Sequence, residues 1–273
     1  MKRLLGKALD NAISLGVVII VLFLIIPIRT ELLDFLLIIN IGLSIMILMI
    51  TMNISETLEF SIFPSLLLVT TLFRLGLNVS STRAILSKGY AGEVIQNFGN
   101  LITGGNIVVG VVIFLIIVLV QFIVITKGAE RVAEVAARFT LDAMPGKQMA
   151  IDADLSSGLI DEQTARLRRG KIQKEADFYG AMDGATKIVK GDAVMSLLIT
   201  LINFVGGVII GMVMGGGDFS TVLQKYSIVT IGDGLVSQLP ALMISTATGM
   251  IVTRSVSEGS LNKDVVAQFK AQP

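Results

Sequence analysis

The sequence predicts an all-α, polytopic membrane helix bundle with a small, mainly helical cytoplasmic subdomain between its fourth and fifth spans. Three observations predict it. Of 273 residues, 53% are apolar and only 16% are charged, where an ordinary soluble domain carries about 25% charged residues; the mean hydropathy is +0.81. The apolar residues come in long blocks of the size a bilayer requires, about 20 residues per helix, rather than at amphipathic spacing. The blocks also fall into two groups, parted by a polar interval that holds eleven Lys or Arg and eleven Asp or Glu between residues 127 and 192.

The six expected spans are residues 12–28, 32–52, 60–80, 104–126, 193–214 and 235–253. The first follows Lys2, Arg3 and Lys7, as a signal peptide would. Its apolar run is too long and too aliphatic for one, however, and it leads into Pro27-Ile28-Arg29 rather than a small-residue cleavage site. The third block is interrupted by Arg74. Short basic flanks set orientation. They put the N-terminus, the polar interval and the end of the chain (Arg254, Lys263 and Lys270) on the cytoplasmic side, with four crossings and then two between them. Arg83 and Lys88 then fall on the outward side, against the rule, which is eased if Arg83 stays within the protein interior near the membrane. The expected division is 1–126 with four spans, 127–191 as the cytoplasmic subdomain, 192–254 with two spans, and 255–273 as a cytoplasmic tail.

The polar interval reads as folded. Val132, Val135 and Phe139 keep helical spacing, and the charged run from Asp161 to Glu175 allows i,i+4 pairs such as Glu162 with Arg166. That run is either a solvated helix or a contact for anionic lipid or neighbouring subunits.

Composition also excludes chemistry. With no Cys, His or Trp, there is no disulfide, no thiolate or imidazole metal site and no His-dependent nucleophile. No enzyme activity, cofactor or metal is therefore expected. The 22 basic and 21 acidic residues nearly cancel, so nothing points to nucleic acid. Gly146-Lys147 is not a P-loop, because Leu141 and Gln148 stand where that motif needs Gly and Ser or Thr.

Within the spans, Gly207, Gly211 and Gly215 recur every four residues and present one small face for close helix packing. The run from Ser245 to Gly249 is either another packing face or a polar path. The costliest residues are the ionisable ones in or beside the spans: Asp34, Arg74, Arg83, Lys187, Lys190, Asp192 and Asp233. Insertion of a charge at a helix centre costs about 2.5–3.5 kcal/mol, so such residues face a partner or a cavity. Asp34 and Arg74 are placed to pair, for assembly or for function. Asp192 is expected to cap the start of the fifth span, and Asp233, in Ile231-Gly232-Asp233-Gly234, to lie in a break before the sixth. With no His or Cys, only desolvated carboxyl groups are available to exchange protons near neutral pH. A carboxylate whose protonation alters helix packing would convert the membrane potential, about 2.3 kcal/mol per charge per 100 mV, into motion.

The stretch from Arg138 to Asp154, with Asp142, Pro145, Gly146, Lys147, Gln148 and Asp152, resembles the signature of the flagellar/HR/invasion export-pore (FHIPEP) family. Residues 73–83, 187–193 and 231–240 resemble three further family stretches, in the family's order. The resemblance implies a multi-pass protein of the bacterial inner membrane. It would form a homo-oligomeric ring with other export-gate subunits and act in type III protein export driven by the proton gradient. The family's charged positions fall on Asp34, Arg74, Arg83, Lys187, Asp192 and Asp233, with Asp192 as the proton-binding carboxylate, assisted by Lys187 and Asp233. Family members continue into a further hydrophobic pair and a large soluble domain that docks exported proteins. This chain ends at Pro273, before either, and is expected to be a truncated form that meets exported proteins only through that missing domain. A ring scaffold with no proton role is the alternative. A small-solute transporter is a third reading, but no inverted repeat supports it.

Overall fold

The computed structural model describes residues 14–123, 128, 130–215, 218–254 and 269–271. The basic N-terminal flank, the first two residues of the first expected span and most of the tail 255–273 lie outside the described residues. Among the described residues there is no strand. The helices are α1 (Ser14–Phe23), α2 (Thr30–Asn53), α3 (Phe63–Lys88), α4 (Glu93–Thr103), α5 (Ile107–Ile123), α6 (Glu130–Ser156), α7 (Glu162–Gly215) and α8 (Phe219–Thr253), with a 3-10 turn at Thr57–Phe60.

Local chemistry explains the ends. Pro64 opens α3, where its missing N–H costs nothing. Gly89 closes it in the left-handed region, at φ 63°, and donates its N–H to Ile85 O. Gly104 closes α4 in the same way, and the Asn106 side chain then accepts from Val108 N at 3.1 Å to begin α5. This Gly-Gly-Asn joint bends α4 against α5 by 102°. Among the described residues, four helices are long and apolar enough to cross a bilayer (α2, α3 joined to its preceding turn, α7 and α8), and α4–α5 makes a fifth if taken as one broken span. The expected fourth span thus begins at a sharp bend, and ten residues of the first expected span are described as helix, in α1. The reason is local: two adjacent glycines and an Asn stand at the start of the fourth block, and Pro27 lies near the end of the first.

Two expectations about helix limits are corrected. Asp192 does not start a helix. Residues 162–215 form one 54-residue helix, about 80 Å long, which carries the charged run in its first half and the apolar fifth block in its second. Asp233 does not lie in a break, because α8 runs unbroken through Gly232 and Gly234. Those glycines serve close approach instead. A Cβ at Gly232 would meet the Ile95 carbonyl oxygen of α4, and one at Gly99 of α4 would meet the Ile228 carbonyl oxygen of α8. The two backbones therefore cross in direct contact.

One buried cluster joins the bundle to the charged hairpin of α6 and the first half of α7, with Phe63, Leu67, Ile244 and Ile251 packed with Ala133, Ala137, Phe178 and Met182. A second gathers Leu33, Leu37, Leu77, Ile95, Val229 and Val236. Leu198, Leu201, Ile202, Val205 and Ile209 on α7, and Val108, Val112, Leu115 and Leu119 on α5, are exposed. Apolar faces of this extent are solvated by lipid rather than water.

The hairpin is held by ion pairs between its helices: Lys147–Glu175 at 3.1 Å, Asp154–Arg168 at 3.1 Å, and Asp152 with Arg169. Glu162 and Arg166 pair at 2.8 Å along α7. Asp161 caps α7, accepting from Thr164 N at 2.7 Å. The hydrogen bond from the Thr164 side chain, followed by that from its backbone, holds the Asp161 carboxyl below its ordinary value. The cap's contribution is therefore complete above the ordinary carboxylate range and lost as the pH falls through the lowered value. Amide hydrogen exchange at Thr164 and Ala165, corrected for intrinsic rates, is expected to show falling protection on acidification; protection unchanged down to strong acid would rule the cap out as a contributor.

Candidate functional site

Arg74 from α3 meets Asp192 from α7 in the interior, with both side chains 2% exposed. The Arg74 Nε donates to Asp192 Oδ2 at 2.6 Å, and Nη2 donates to the same oxygen. Two charges removed from water this completely persist only as a pair, because desolvation costs several kcal/mol per ion. The pair is incomplete: Arg74 Nη1 and Asp192 Oδ1 have no hydrogen-bond partner among the described residues. Asp192 lies where the charged half of α7 gives way to its apolar half.

Asp233 on α8 is the other buried carboxylate among the described residues. Asn203 of α7, itself fully buried, donates from Nδ2 to Asp233 Oδ2 at 2.8 Å, and the Ser81 side chain is a second polar neighbour. Close by, the Ser237 hydroxyl donates to Asn78 Oδ1 at 2.6 Å. These groups occupy one side of each helix: Arg74, Asn78 and Ser81 on α3, Asp192 and Asn203 on α7, and Asp233 and Ser237 on α8.

The remaining charged positions sit elsewhere. Asp34 does not pair with Arg74, contrary to expectation. It lies half-buried on α2 and accepts from Glu93 N at 2.8 Å and Val94 N at 3.0 Å, capping α4 from another helix. Gly92, at φ 112°, is required beside it, since a Cβ there would collide with the Asp34 carboxylate. Asp34→Ala is expected to cost about 1–2 kcal/mol, as for other lost caps, read as a lower unfolding midpoint in detergent; an unchanged midpoint would remove this role. Arg83 donates to Ile25 O at 2.9 Å and Leu24 O at 3.1 Å, and Ser80 to Phe23 O at 3.0 Å, so both close off carbonyls at the end of α1. Lys187 pairs with Asp183 at 2.7 Å on the surface of α7, with 63% of its side chain exposed. Sequence spacing could not place Asp34 and Arg83, because it carries no distance between helices, whereas the i,i+4 pair of Lys187 with Asp183 lies within one helix.

Gly207 and Gly211 face Tyr226 of α8, whose ring a Cβ at either position would strike. The packing of Gly215 lies outside the described residues. The signature positions lie along α6. Arg138 and Asp142 form an exposed pair at 3.8 Å, Pro145 sits within the helix, a Cβ on Gly146 would meet open space, and Gln148 is half-buried. Lys147, with Phe139, Lys171, Glu175, Tyr179 and Arg254, lines a cleft of about 700 Å³ beside the turn that follows α2.

Asn78, Asn203 and Ser237 were not singled out by charge. The signal was nonetheless present for Asn203, an amide between Ile202 and Phe204 in a predominantly apolar block, where an amide needs a partner.

Long apolar helices with charges paired in their interior define a polytopic membrane protein whose polar residues face one another rather than lipid. The FHIPEP family model matches residues 20–273, and the chain belongs to this family. It is 58% identical to the flagellar biosynthesis protein FlhA of Bacillus subtilis over 97% of this chain and 39% of that protein. It is 55% identical to the FlhA of Caulobacter vibrioides over 97% of this chain and 38% of that protein. It is 51% identical to the low calcium response locus protein D of Yersinia pestis over 98% of this chain and 38% of that protein. The chain spans under two fifths of the length of these relatives. No solved structure matches it.

Proposed function

We propose that the chain is the membrane part of a type III protein export gate, acting in flagellar protein export from the bacterial inner membrane, with its N-terminus in the cytoplasm. It works without catalysis or cofactor, as a subunit of a homo-oligomeric ring with other export-gate subunits, and couples the proton gradient to secretion. The observation that carries this reading is the buried, incompletely bonded Arg74–Asp192 pair at the junction between the charged hairpin and the apolar part of α7. Protonation of Asp192 would remove the attraction that joins α3 to α7 at that junction, changing how the hairpin sits on the bundle. Asp233 supplies a second carboxylate deeper among the same helices. Lys187, paired with Asp183 at the surface, belongs to the hairpin's charge pattern.

The family membership and the flagellar names of two relatives support the export assignment. Asp192→Asn in a full-length flagellar relative tests the coupling. Expected is a ring that assembles normally while secretion of export substrates falls by orders of magnitude. Export at the wild-type rate would defeat the coupling reading. Loss of the ring itself would favour a scaffold, a reading supported at Asp34 and Arg83, whose bonds go to helix ends.

A further inference from the structure

Unpartnered polar atoms are concentrated between α3, α7 and α8. Thr71 Oγ1, Arg74 Nη1 and Asn78 Nδ2 on α3, Asp192 Oδ1 and Asn203 Oδ1 on α7, and Thr230 Oγ1 on α8 are all buried without a hydrogen-bond partner among the described residues. Their spacing is regular. Thr71, Arg74, Asn78 and Ser81 follow each other at three- and four-residue steps along one face of α3, as do Thr230, Asp233 and Ser237 on α8. Asp192 and Asn203, eleven residues apart, lie on one side of α7 about 16 Å from each other. Side-chain bonds already cross between the helices at three levels: Arg74 with Asp192, Ser237 with Asn78, and Asn203 with Asp233.

Each buried polar atom left unbonded costs about 1–3 kcal/mol, and interiors meet that need with internal water when two to four polar groups converge. Scattered orphans would be met one by one. Orphans stacked on the facing sides of three helices call for water at successive levels of one column.

We propose that this stripe is a hydrated seam, in which bound water held by Asn78, Asn203 and Ser237 joins Asp233 to the Arg74–Asp192 pair, with Thr230 extending it beyond Asp233. Ser237 and Asn203 are positioning residues. The Ser237 hydroxyl is committed to Asn78 Oδ1, which leaves the Asn78 Nδ2 free to donate to water. The Asn203 amide is committed through Nδ2 to Asp233, which leaves its Oδ1 free to accept from water. The amides thus present a donor at one level and an acceptor at the next. Along such a column a proton passes by forming an O–H bond on one oxygen as the O–H bond on its neighbour breaks. One positive charge moves, and no other bond changes. The seam's use in export rests on the proton-coupling reading, whereas its hydration does not.

The test is water-edited solid-state NMR on the nitrogen-15-labelled chain in lipid bilayers, with the two side-chain amides assigned through Asn78→Leu and Asn203→Leu. Magnetisation from water is expected to reach the side-chain amides of both Asn78 and Asn203. In the double variant Asn78→Leu with Ser237→Ala, the transfer to Asn203 is expected to be lost. Dry amides in the unmodified chain would overturn the proposal, and so would an undiminished Asn203 signal in a double variant that keeps its helical spectrum. Hydrated amides together with export that survives Asp192→Asn would support the seam and overturn only its role in coupling.

Discussion

Replacing Arg74 by methionine is expected to destabilise the bundle by about 3–5 kcal/mol, the cost of leaving one member of a buried ion pair without the other. The magnitude follows from burial. At 2% exposure, bulk solvent does not reach the pair, and no further protein group among the described residues bonds the second Asp192 oxygen. The pair itself is worth much less than its rupture, since its attraction mainly offsets its own desolvation. The double variant Arg74→Met with Asp192→Leu is therefore expected to regain most of the loss. Denaturant titration in mixed micelles would measure both. Equal instability of the single and double variants would show that the positions matter for shape rather than for charge.

Gly232→Ala is expected to cost about 1–3 kcal/mol, the usual range for overpacking, with the upper end favoured because the obstacle is backbone. The new methyl would meet the Ile95 carbonyl oxygen and the Gly99 nitrogen, neither of which can rotate away, so α4 and α8 must separate. Gly249→Ala in the same helix supplies the opposite sign. A Cβ there meets nothing within 4 Å, so the gain of about 1 kcal/mol in helix propensity is expected to appear undiminished. The same micelle titration should move the two midpoints in opposite directions. Shifts of one sign would refute the account of the α4–α8 crossing.

Much of this was legible in the sequence, for reasons that can be located. Apolar block length identified α2, α3, the second half of α7 and α8, because a bilayer imposes that length. The cost of burying charge singled out Arg74, Asp192 and Asp233, three of the four deeply buried charges among the described residues; the fourth, Arg254, had been read only as a basic flank. What was not legible was who meets whom. Asp34 and Arg74 were equally plausible partners in one dimension, but Asp34 faces the start of α4 while Arg74 faces α7. Gly-Asp at residues 191–192 reads like a helix start, yet good helix formers on both sides carry α7 straight through. Gly232 and Gly234 read like a break, because glycine is a poor helix former; the tertiary contact with α4 that requires them has no local signature. Neutral Asn78 and Ser237 escaped because a buried amide or hydroxyl costs far less than a charge and so stands out far less in sequence.

The continuity of α7 has a mechanical corollary. Asp192 lies thirty residues from one end of the rod and twenty-three from the other, so α3 grips it near the fulcrum. About 45 Å of helix extends from that point to the tip bearing Glu162. An unbroken helix transmits tilt along its length, and a small pivot at the gripping point becomes a much larger sweep at that tip.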